Sequence, residues 1–550
     1  MTASNTMVTQ TNAWRTLATM RSCMSKDFVS LGHQFQRFPE RGVRFRINDP
    51  RIIMDYSRQL VTPDVITGLV ALADETGLKD KIGAMFSGQK INATEGRAVL
   101  HTALRDPSDN PIVVDGVDYK PEIKAVLSKI EGFSREVISG QRRGITGKPI
   151  RNIVAIGIGG SYLGPEYLSE ACAPYAQPGM KLLFVANVDG TDFARKTQGL
   201  DPEETMFAIV SKTFTTAETI KNANTAKQWM IEKLGTDPEV IRRHFIAVST
   251  AAKKVEAFGI DTNNMFGFWD FVGGRFSATS AVGAVPLSLY LGFENFSKIL
   301  AGAHYMDRHF RTAPFASNIP VLSALIDIWN INFQGLKTRA ILPYAQSYAK
   351  YAPHCQQTEM ESNGKSVLID GSPVDFETGE IVFGEPGTNG QHSFYQLIHQ
   401  GTMPVPADFI GFLNPQYPVG AGETISHHEE LMTNLFAQPD ALAFGQNSDD
   451  PHKRFSGNRP SNVFLLKDQD PFSAGLLLSL LENRVATKGF IWGINSFDQF
   501  GVELGKKLGL DIRRRMELFK ANPGDPIVYE GLNSSTAANL RAFLYSDLSI

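Results

Sequence analysis

Cysteine is scarce in this sequence, which has 3 cysteines among 550 residues. Cys23, Cys172 and Cys355 stand far apart, so they form neither a C-x-x-C metal motif nor the dense framework of a disulfide-stabilised domain. Long apolar runs are missing too, and no stretch approaches the roughly 18 residues that a membrane-spanning helix needs. These absences favour a soluble protein of a reducing compartment.

An excess of basic charge is also missing. The net charge is −3, with 42% hydrophobic and 20% charged residues, which is typical of a globular protein. Without a polybasic surface, nucleic acid is not an expected partner. The N-terminal sequence lacks the basic and apolar regions of a secretory signal, and the C-terminal sequence carries no lipidation or organelle signal. We therefore expect a cytoplasmic protein without a membrane partner.

Short apolar runs separated by helical patterns are what the sequence has in abundance from residue 151 onward. The first four lie in RNIVAIGIGG, KLLFVANVDG, ETMFAIVSK and RHFIAVST. Continuous rather than alternating runs predict strands buried on both faces of a parallel sheet that helices cover. A second set, RAILPYAQS, IVFGE, NVFLLKDQ and KGFIWGINS, is also strand-like. The sequence therefore predicts an α/β protein with two doubly wound domains.

The predicted organisation has four segments. They are an N-terminal helical segment at 1–120, a first α/β domain at 121–290, a second at 291–515 and a C-terminal helical arm at 516–550. Helical spacing is clear at residues 63–78, where Val65, Leu69 and Leu72 share one face. In open parallel sheets, ligands bind beyond the carboxyl ends of the strands. The residues that follow each strand are therefore the candidate site.

Two predicted strand-to-helix turns carry hydroxyl groups. The polar or glycine positions are Gly160 and Ser161 after the first run, and Ser211, Lys212, Thr213 and Thr216 after the third. Free amides and the helix dipole favour an anion at such turns, and glycine lets the backbone come close to it. Thr215 and Glu218 also fit a capping box, so helix capping explains either turn alone equally well. Two such turns, each at the end of a strand-like run, favour a phosphate monoester.

Nucleotide-binding motifs are incomplete. No G-x-x-x-x-G-K-[ST] loop is present, and Gly157-x-Gly159-x-x-Tyr162 has tyrosine where the dinucleotide fingerprint has its third glycine. Asp189 follows the second run, where a ribose-binding acid would lie. A nucleotide-dependent dehydrogenase therefore stays an alternative that lacks its glycine pattern.

Groups suited to proton chemistry occur in later stretches. Arg275 follows two glycines and could hold an oxyanion or pair with Asp270. Glu359 and Glu361 precede the turn signal Asn363-Gly364, and in an extended segment both carboxylates would point to one side, as on a solvated hairpin. His392 falls at a predicted helix start, where the dipole would keep its ring neutral and usable as an acid or base.

The stretch INSFDQFGVELGKKLGL has helical spacing. Phe497, Phe500, Leu504 and Leu508 are predicted to form an apolar stripe. Gln499, Glu503 and Lys506 line a different face, so Lys506 points either to water or into a cleft.

Six segments resemble the signatures of the phosphoglucose isomerase family, in that family's order. They are GIGGSYLGP, SKTFTTAET, FWDFVGGRFSATSAVG, QQTEMESNGKS, GEPGTNGQHSFYQLIHQG and SFDQFGVELGKKL. The resemblance covers nearly the whole chain. It implies two sugar-isomerase-type α/β/α sandwich domains, a C-terminal arm, and a homodimer in which His392 comes from the neighbouring subunit. It also implies an enzyme without metal or cofactor that interconverts glucose 6-phosphate and fructose 6-phosphate in glycolysis and gluconeogenesis.

The resemblance also implies residue roles. The phosphate would be held by Gly160, Ser161, Ser211, Lys212, Thr213 and Thr216, and the reacting end would contain Arg275, Gln357, Glu361, His392, Gln499 and Lys506. Glu361 would move a proton between C1 and C2, Arg275 would stabilise the enediolate, and His392 with Lys506 would open the sugar ring. Thr358-Glu359 departs from the family's Gly-Asp, and Phe500 stands where tryptophan is frequent. A non-catalytic sugar-phosphate sensor is the alternative, although a sensor has no use for the reactive residues.

Overall fold

The computed structural model describes residues 7–28 and 30–548. The chain forms two compact units, one ending at Phe497 and the other beginning at Asp498. The first six residues of the predicted N-terminal segment and the last two of the predicted arm lie outside the described residues. The predicted borders at residues 120, 290 and 515 stay predictions.

Strands and helices alternate through most of the first unit. The strands are β1 Arg46–Asn48, β2 Ile52–Asp55, β3 Val113–Val114, β4 Val117–Asp118, β5 Asn152–Ile156, β6 Lys181–Val185, β7 Thr205–Val210, β8 Phe245–Val248, β9 Met265–Phe266, β10 Thr338–Pro343, β11 Ile381–Phe383, β12 Ala407–Asn414 and β13 Ser461–Asp468. The helices up to the middle of the chain are α1 Asn12–Asp27, α2 Leu31–Arg37, α3 Arg41–Arg44, α4 Pro63–Glu75, α5 Leu78–Phe86, α6 Lys120–Ile138, α7 Leu163–Ala171, α8 Gly190–Thr197, α9 Ala217–Leu234, α10 Pro238–His244 and α11 Ala252–Phe258. The later helices are α12 Ala281–Leu291, α13 Phe293–Thr312, α14 Ile319–Ile328, α15 Tyr351–Gln356, α16 Tyr395–Gln400, α17 His427–Phe444, α18 Pro471–Trp492, α19 Glu503–Ala521 and α20 Ser534–Tyr545. No described helix combines the length and the apolar composition that crossing a bilayer requires.

The first sheet is parallel throughout and has the strand order β6-β5-β7-β8-β9. All residues of β5, β7 and β8 are buried, because helices cover both faces of the sheet. The four predicted strands are confirmed. The short edge strand β9 was not predicted.

The second sheet has the order β1-β2-β13-β12-β10-β11. Strands β10 to β13 are parallel, whereas β2 runs antiparallel to β13 and β1 antiparallel to β2. The N-terminal segment therefore supplies two strands to this sheet, and its strands β3 and β4 form a separate two-stranded sheet; the sequence indicated none of the four. One parallel sheet and one mainly parallel sheet, together with their helices, confirm the α/β fold class.

Helix α18 corrects one strand prediction. KGFIWGINS is not a strand, because its first part is the last turn of α18. All residues of this helix except Phe472 are buried, so its apolar run resembles that of an interior strand, and periodicity does not separate the two. Asp470 accepts a hydrogen bond from the Ser473 amide at the helix start, and Gly493 ends the helix with φ +74°. The second sheet instead contains β12, which the sequence did not predict.

The second unit contains α19 and α20. Arg515 on α19 donates to the carbonyl oxygens of Val528 (3.0 Å) and Glu530 (2.8 Å), which lie in the segment between the two helices. The predicted apolar stripe is wrong. Helix α19 begins at Glu503, so Phe497 lies in the first unit and Phe500 lies in a separate 3-10 turn.

Candidate active site

The first turn of the candidate site follows β5. Its backbone passes through Gly159, with φ +58°, into a 3-10 turn that ends at Ser161. A Cβ atom on Gly160 would overlap the carbonyl group of Gly274 and come within 2.6 Å of the Arg275 amide nitrogen. Glycine is required here because two backbones touch. The turn therefore lies directly against the segment that carries Arg275.

The second turn follows β7 and leads into α9. The amide of Ser211 donates to the carbonyl oxygen of Val248 (3.0 Å), and the amide of Thr250 donates to that of Lys212 (3.0 Å). Thr216 is the N-cap residue of α9, yet its side chain makes no capping hydrogen bond. Its hydroxyl oxygen lies 3.4 Å from that of Ser211. The capping box of Thr215 and Glu218 that the sequence allowed is not formed, because the N-cap position is Thr216 and the Thr215 hydroxyl oxygen instead lies 2.6 Å from that of Thr213.

The two turns share one edge of the sheet. Strands β5 and β7 are parallel neighbours, with Ile156 opposite Ile209. A Cβ atom on Gly157 would lie 3.3 Å from Cβ of Val210, at the last residue of β7. The structure therefore brings together the six residues predicted to hold a phosphate on two adjacent turns, where parallel strands present their carboxyl ends.

Lys212 supplies positive charge to the second turn. Burial lowers the pKa of its ammonium group, and the nearby Arg97 lowers the pKa further, whereas Asp270 and Glu95 oppose both effects. Asp270, considered from the sequence as a partner of Arg275, thus acts on Lys212. A dianion bound at this turn would favour the charged lysine and offset its desolvation.

Arg275 is buried, with 3% of its surface exposed, and its guanidinium donates hydrogen bonds to two serine residues. Its Nε donates to the Ser362 hydroxyl (2.6 Å), and its Nη2 donates to the Ser496 carbonyl oxygen (2.6 Å). The remaining Nη1 lies 3.5 Å from Oε2 of Glu361. Sequence reasoning missed Ser362 and Ser496, although each lies within a quoted motif. Both fix the guanidinium so that one edge faces the Glu361 carboxylate.

Glu361 ends a wide helical turn with π-type hydrogen bonding, Gln357–Glu361, that continues α15. The Nε2 group of Gln357 donates to Oε2 of Glu361 (3.1 Å). The Glu361 side chain is 21% exposed. The prediction of an extended segment is wrong. In helical turns, residues two positions apart point to roughly opposite sides, so Glu359 is fully buried while Glu361 faces the site.

Gln357 connects the first turn to the carboxylate. A Cβ atom on Gly159 would lie 3.3 Å from its Nε2. The Oε1 of Gln357 is buried and has no hydrogen-bond partner among the described residues. A buried acceptor without a partner is costly, and a sugar hydroxyl would satisfy it. The arrangement can hold a polar ligand between hydroxyl-bearing turns and a carboxylate paired with a guanidinium.

The remaining predicted site residues are His392, Gln499 and Lys506. His392 is exposed and ends the 3-10 turn Asn389–His392, three residues before α16, so the predicted helix start is not at His392. Gln499 and Lys506 belong to the second unit, where Nζ of Lys506 lies 3.5 Å from Oε1 of Glu503. Their roles stay predictions. Among the described residues, no group of histidine, cysteine, aspartate and glutamate side chains has the arrangement of a metal site.

Comparison with known proteins gives consistent matches. The family model described as "Phosphoglucose isomerase" matches residues 55–538. The chain is 52% identical to the cytosolic glucose-6-phosphate isomerase of Zea mays over 510 residues, or 90% of this chain and 89% of the relative. It is 47% identical to that of Arabidopsis thaliana over 565 residues, or 99% of each. A crystal structure of a glucose-6-phosphate isomerase from Chlamydia trachomatis D/UW-3/Cx is similar with a TM-score of 0.88 at 32% identity, covering 98% of this chain and 100% of that one.

Proposed function

The chain belongs to the phosphoglucose isomerase family, and on that premise we propose that it interconverts D-glucose 6-phosphate and D-fructose 6-phosphate through ring opening and a cis-enediol. The observation that carries the proposal is the Glu361 carboxylate, which lies between Arg275 and Gln357. Both partners also adjoin the first turn. The enzyme is an aldose–ketose isomerase of glycolysis and gluconeogenesis. The cytosolic relatives support a cytoplasmic location.

The phosphate group binds at the two turns in this proposal. Hydroxyls of Ser161, Ser211, Thr213 and Thr216, amides near Gly160 and the ammonium of Lys212 donate to its oxygens. Neutral donors and one cation satisfy a phosphate monoester without a metal ion, so we infer that no metal is needed for binding. The sugar then extends towards Glu361.

Glu361 acts as the base of the isomerisation. With the aldose open, its carboxylate takes the proton from C2, and the electrons form the C1–C2 double bond of the enediol. The proton returns to C1, and a hydroxyl proton moves from O2 to O1, which gives the ketose. Arg275 stabilises the negative charge that develops on the enediolate oxygens. Because no electrons leave the substrate, no redox cofactor is required.

Ring opening precedes the proton transfer. We assign it to His392 of the partner subunit with Lys506, and we assign Gln499 to the same end of the substrate. The exposure of His392 supports this role in a homodimer, because a side chain that projects from one chain can complete the site of another.

The first test measures conversion of fructose 6-phosphate in a coupled assay of the wild type beside Thr216→Val. We expect the wild type to convert fructose 6-phosphate. In the variant, KM should be about 10-fold higher and kcat unchanged, since a hydrogen bond to a charged group contributes about 1.5–3 kcal/mol. Thr225→Val on the same helix α9 is the control, because its hydroxyl bonds within the helix to Lys221. A wild type that binds the sugar phosphate without turnover would indicate the sensor instead, and an unchanged KM would remove Thr216 from the phosphate site.

The shared site is tested with hybrid dimers. We expect Glu361→Gln and His392→Ala to be nearly inactive separately. A refolded equal mixture should regain about a quarter of the wild-type activity, because half of the dimers are mixed and each mixed dimer has one intact site. If both residues came from one chain, every site in a mixed dimer would carry one defect. No recovery, with mixed dimers verified by mass, would therefore contradict the shared site.

A further inference from the structure

A cluster of charged side chains is buried behind the candidate active site and has no part in the mechanism above. We call it the charged core. Its members are Asp327, Arg339, Glu359, Glu380, Asp408, Arg484 and Lys488. Isolated buried charges are strongly unfavourable, so each member needs partners. With four carboxylates and three cations, the charged core is electrically neutral only with one added proton. Burial raises the pKa of Glu380, and Arg339 and Lys488 oppose that effect.

Lys488 ties several members of the charged core together from α18. Its Nζ lies 2.8 Å from Oε2 of Glu359, 2.7 Å from Oε1 of Glu380 and 3.1 Å from Oδ2 of Asp327. The side chains of both Glu359 and Lys488 are completely buried. Helix α18 is itself buried along its length, so Lys488 is a fixed point for whatever it holds.

Glu359 lies on the same wide turn as Glu361. Its carboxylate points into the charged core, on the opposite side of the turn from the candidate base. The ion pair with Lys488 therefore holds the back of the turn whose front carries Glu361. An anchor on one face of a short turn limits its rotation, and that rotation would move the carboxylate on the other face.

A second connection runs from Glu359 to Arg275. Oε1 of Glu359 accepts a hydrogen bond from Nδ2 of Asn363 (3.0 Å), and Oδ1 of Asn363 accepts one from the Ser496 hydroxyl (2.7 Å). The carbonyl oxygen of Ser496 accepts the bond from Nη2 of Arg275 (2.6 Å). The same buried carboxylate thus supports both groups that face the sugar.

We propose that Glu359 and Lys488 form a positioning pair, which keeps Glu361 and Arg275 in the geometry for proton transfer. The inference rests on the proposed role of Glu361 as the base. Stability alone is a poor reason for such a pair, because replacing a buried ion pair by apolar residues of similar volume is often neutral or stabilising. The position of Glu359 on the catalytic turn gives the pair a specific consequence for the reaction.

The test compares Glu359→Met with Glu380→Met. Each substitution removes one carboxylate that contacts Lys488 and keeps a similar volume, but Glu380 lies outside the turn. For Glu359→Met we expect kcat to fall about 10- to 100-fold, the size of effect that a misplacement of about 1 Å produces. KM should stay within about threefold because the phosphate turns are untouched. For Glu380→Met we expect an unchanged kcat, whatever it does to the melting temperature.

The kinetic isotope effect separates positioning from stability. With 2-deuterio glucose 6-phosphate, poor positioning of the base makes proton transfer more rate-limiting, so the isotope effect on kcat should rise in Glu359→Met and not in Glu380→Met. Glu359→Gln keeps the shape and the bond to Asn363 but turns its amide NH2 towards the Lys488 ammonium, so it breaks the pair and should lower kcat as Glu359→Met does. If Glu359→Met does not fold, Glu359→Asp carries the test, because its shorter carboxylate keeps the charge and should lower kcat with the same rise in the isotope effect.

Two results would overturn the positioning pair. One is a folded Glu359→Met or Glu359→Asp protein with the wild-type kcat and isotope effect. The other is the same loss in Glu380→Met. Glu361→Gln is measured in the same series: if it is inactive and the Glu359 variants are unaffected, the pair alone is wrong. An active Glu361→Gln protein would instead refute the base assignment of the proposed function.

Discussion

Glu361→Gln should lower kcat by about 10³- to 10⁴-fold, the upper range for loss of a general base. Glutamine keeps the shape of the side chain and its contacts with Gln357 and Arg275, but its amide does not accept the C2 proton at a useful rate. The two turns that hold the phosphate are unchanged, so the Kd of fructose 6-phosphate should stay within about threefold. The coupled assay gives kcat, and calorimetry gives Kd.

A direct readout of the base is exchange of the C2 hydrogen of glucose 6-phosphate with deuterium oxide, followed by NMR. We expect exchange with the wild type and none with Glu361→Gln. Glu294→Gln is a matched control on α13, because its carboxylate is exposed and pairs with Lys298. Exchange at the wild-type rate in Glu361→Gln would assign the proton transfer to another group.

Arg275→Lys should lower kcat by about 10²- to 10³-fold, as expected for the loss of a donor to a developing oxyanion. Lysine keeps the positive charge, but a single ammonium does not reproduce the fork that binds Ser362, Ser496 and the carboxylate of Glu361. The lost stabilisation should be greatest for the enediolate intermediate, because that species carries the negative charge. It is measured as kcat and as the inhibition constant of a hydroxamate that mimics the enediolate.

The role of Arg275 is decided by how much affinity Arg275→Lys loses for the hydroxamate and how much it loses for fructose 6-phosphate. We expect the hydroxamate to lose affinity by at least about tenfold more than fructose 6-phosphate does, since transition-state interactions act selectively. Arg243→Lys is the control, because Arg243 is half exposed and pairs with Glu239 on its own helix. Equal losses for both ligands would mean that Arg275 contributes to ground-state binding only.

The sequence predicted the parts of the site that depend on local order along the chain. A buried strand followed by glycine or hydroxyl residues and then a helix is a local pattern, so the turns after β5 and β7 could be recognised from their letters. The parallel order of the first sheet followed from the continuous apolar runs. Arg275 could be singled out from its neighbouring glycines, although its two serine partners come from distant parts of the chain.

The wrong predictions share a cause in tertiary packing. Alternation was the natural interpretation of Glu359 and Glu361, but Lys488 compensates the charge of Glu359 in the interior and so allows a buried helical turn there. Likewise, the end of α18 resembles a strand because the core buries all its faces. No local pattern reports that a lysine more than a hundred residues away will neutralise a carboxylate.

The contact between Gly160 and Gly274 has a consequence for how the enzyme meets its substrate. With no side chain between the two backbones, the turn proposed to bind the phosphate packs directly against the segment that carries the guanidinium. The distance between the anchoring point of the sugar and the charge that stabilises its intermediate is therefore set before any ligand arrives. Little reorganisation is then left for the reaction itself.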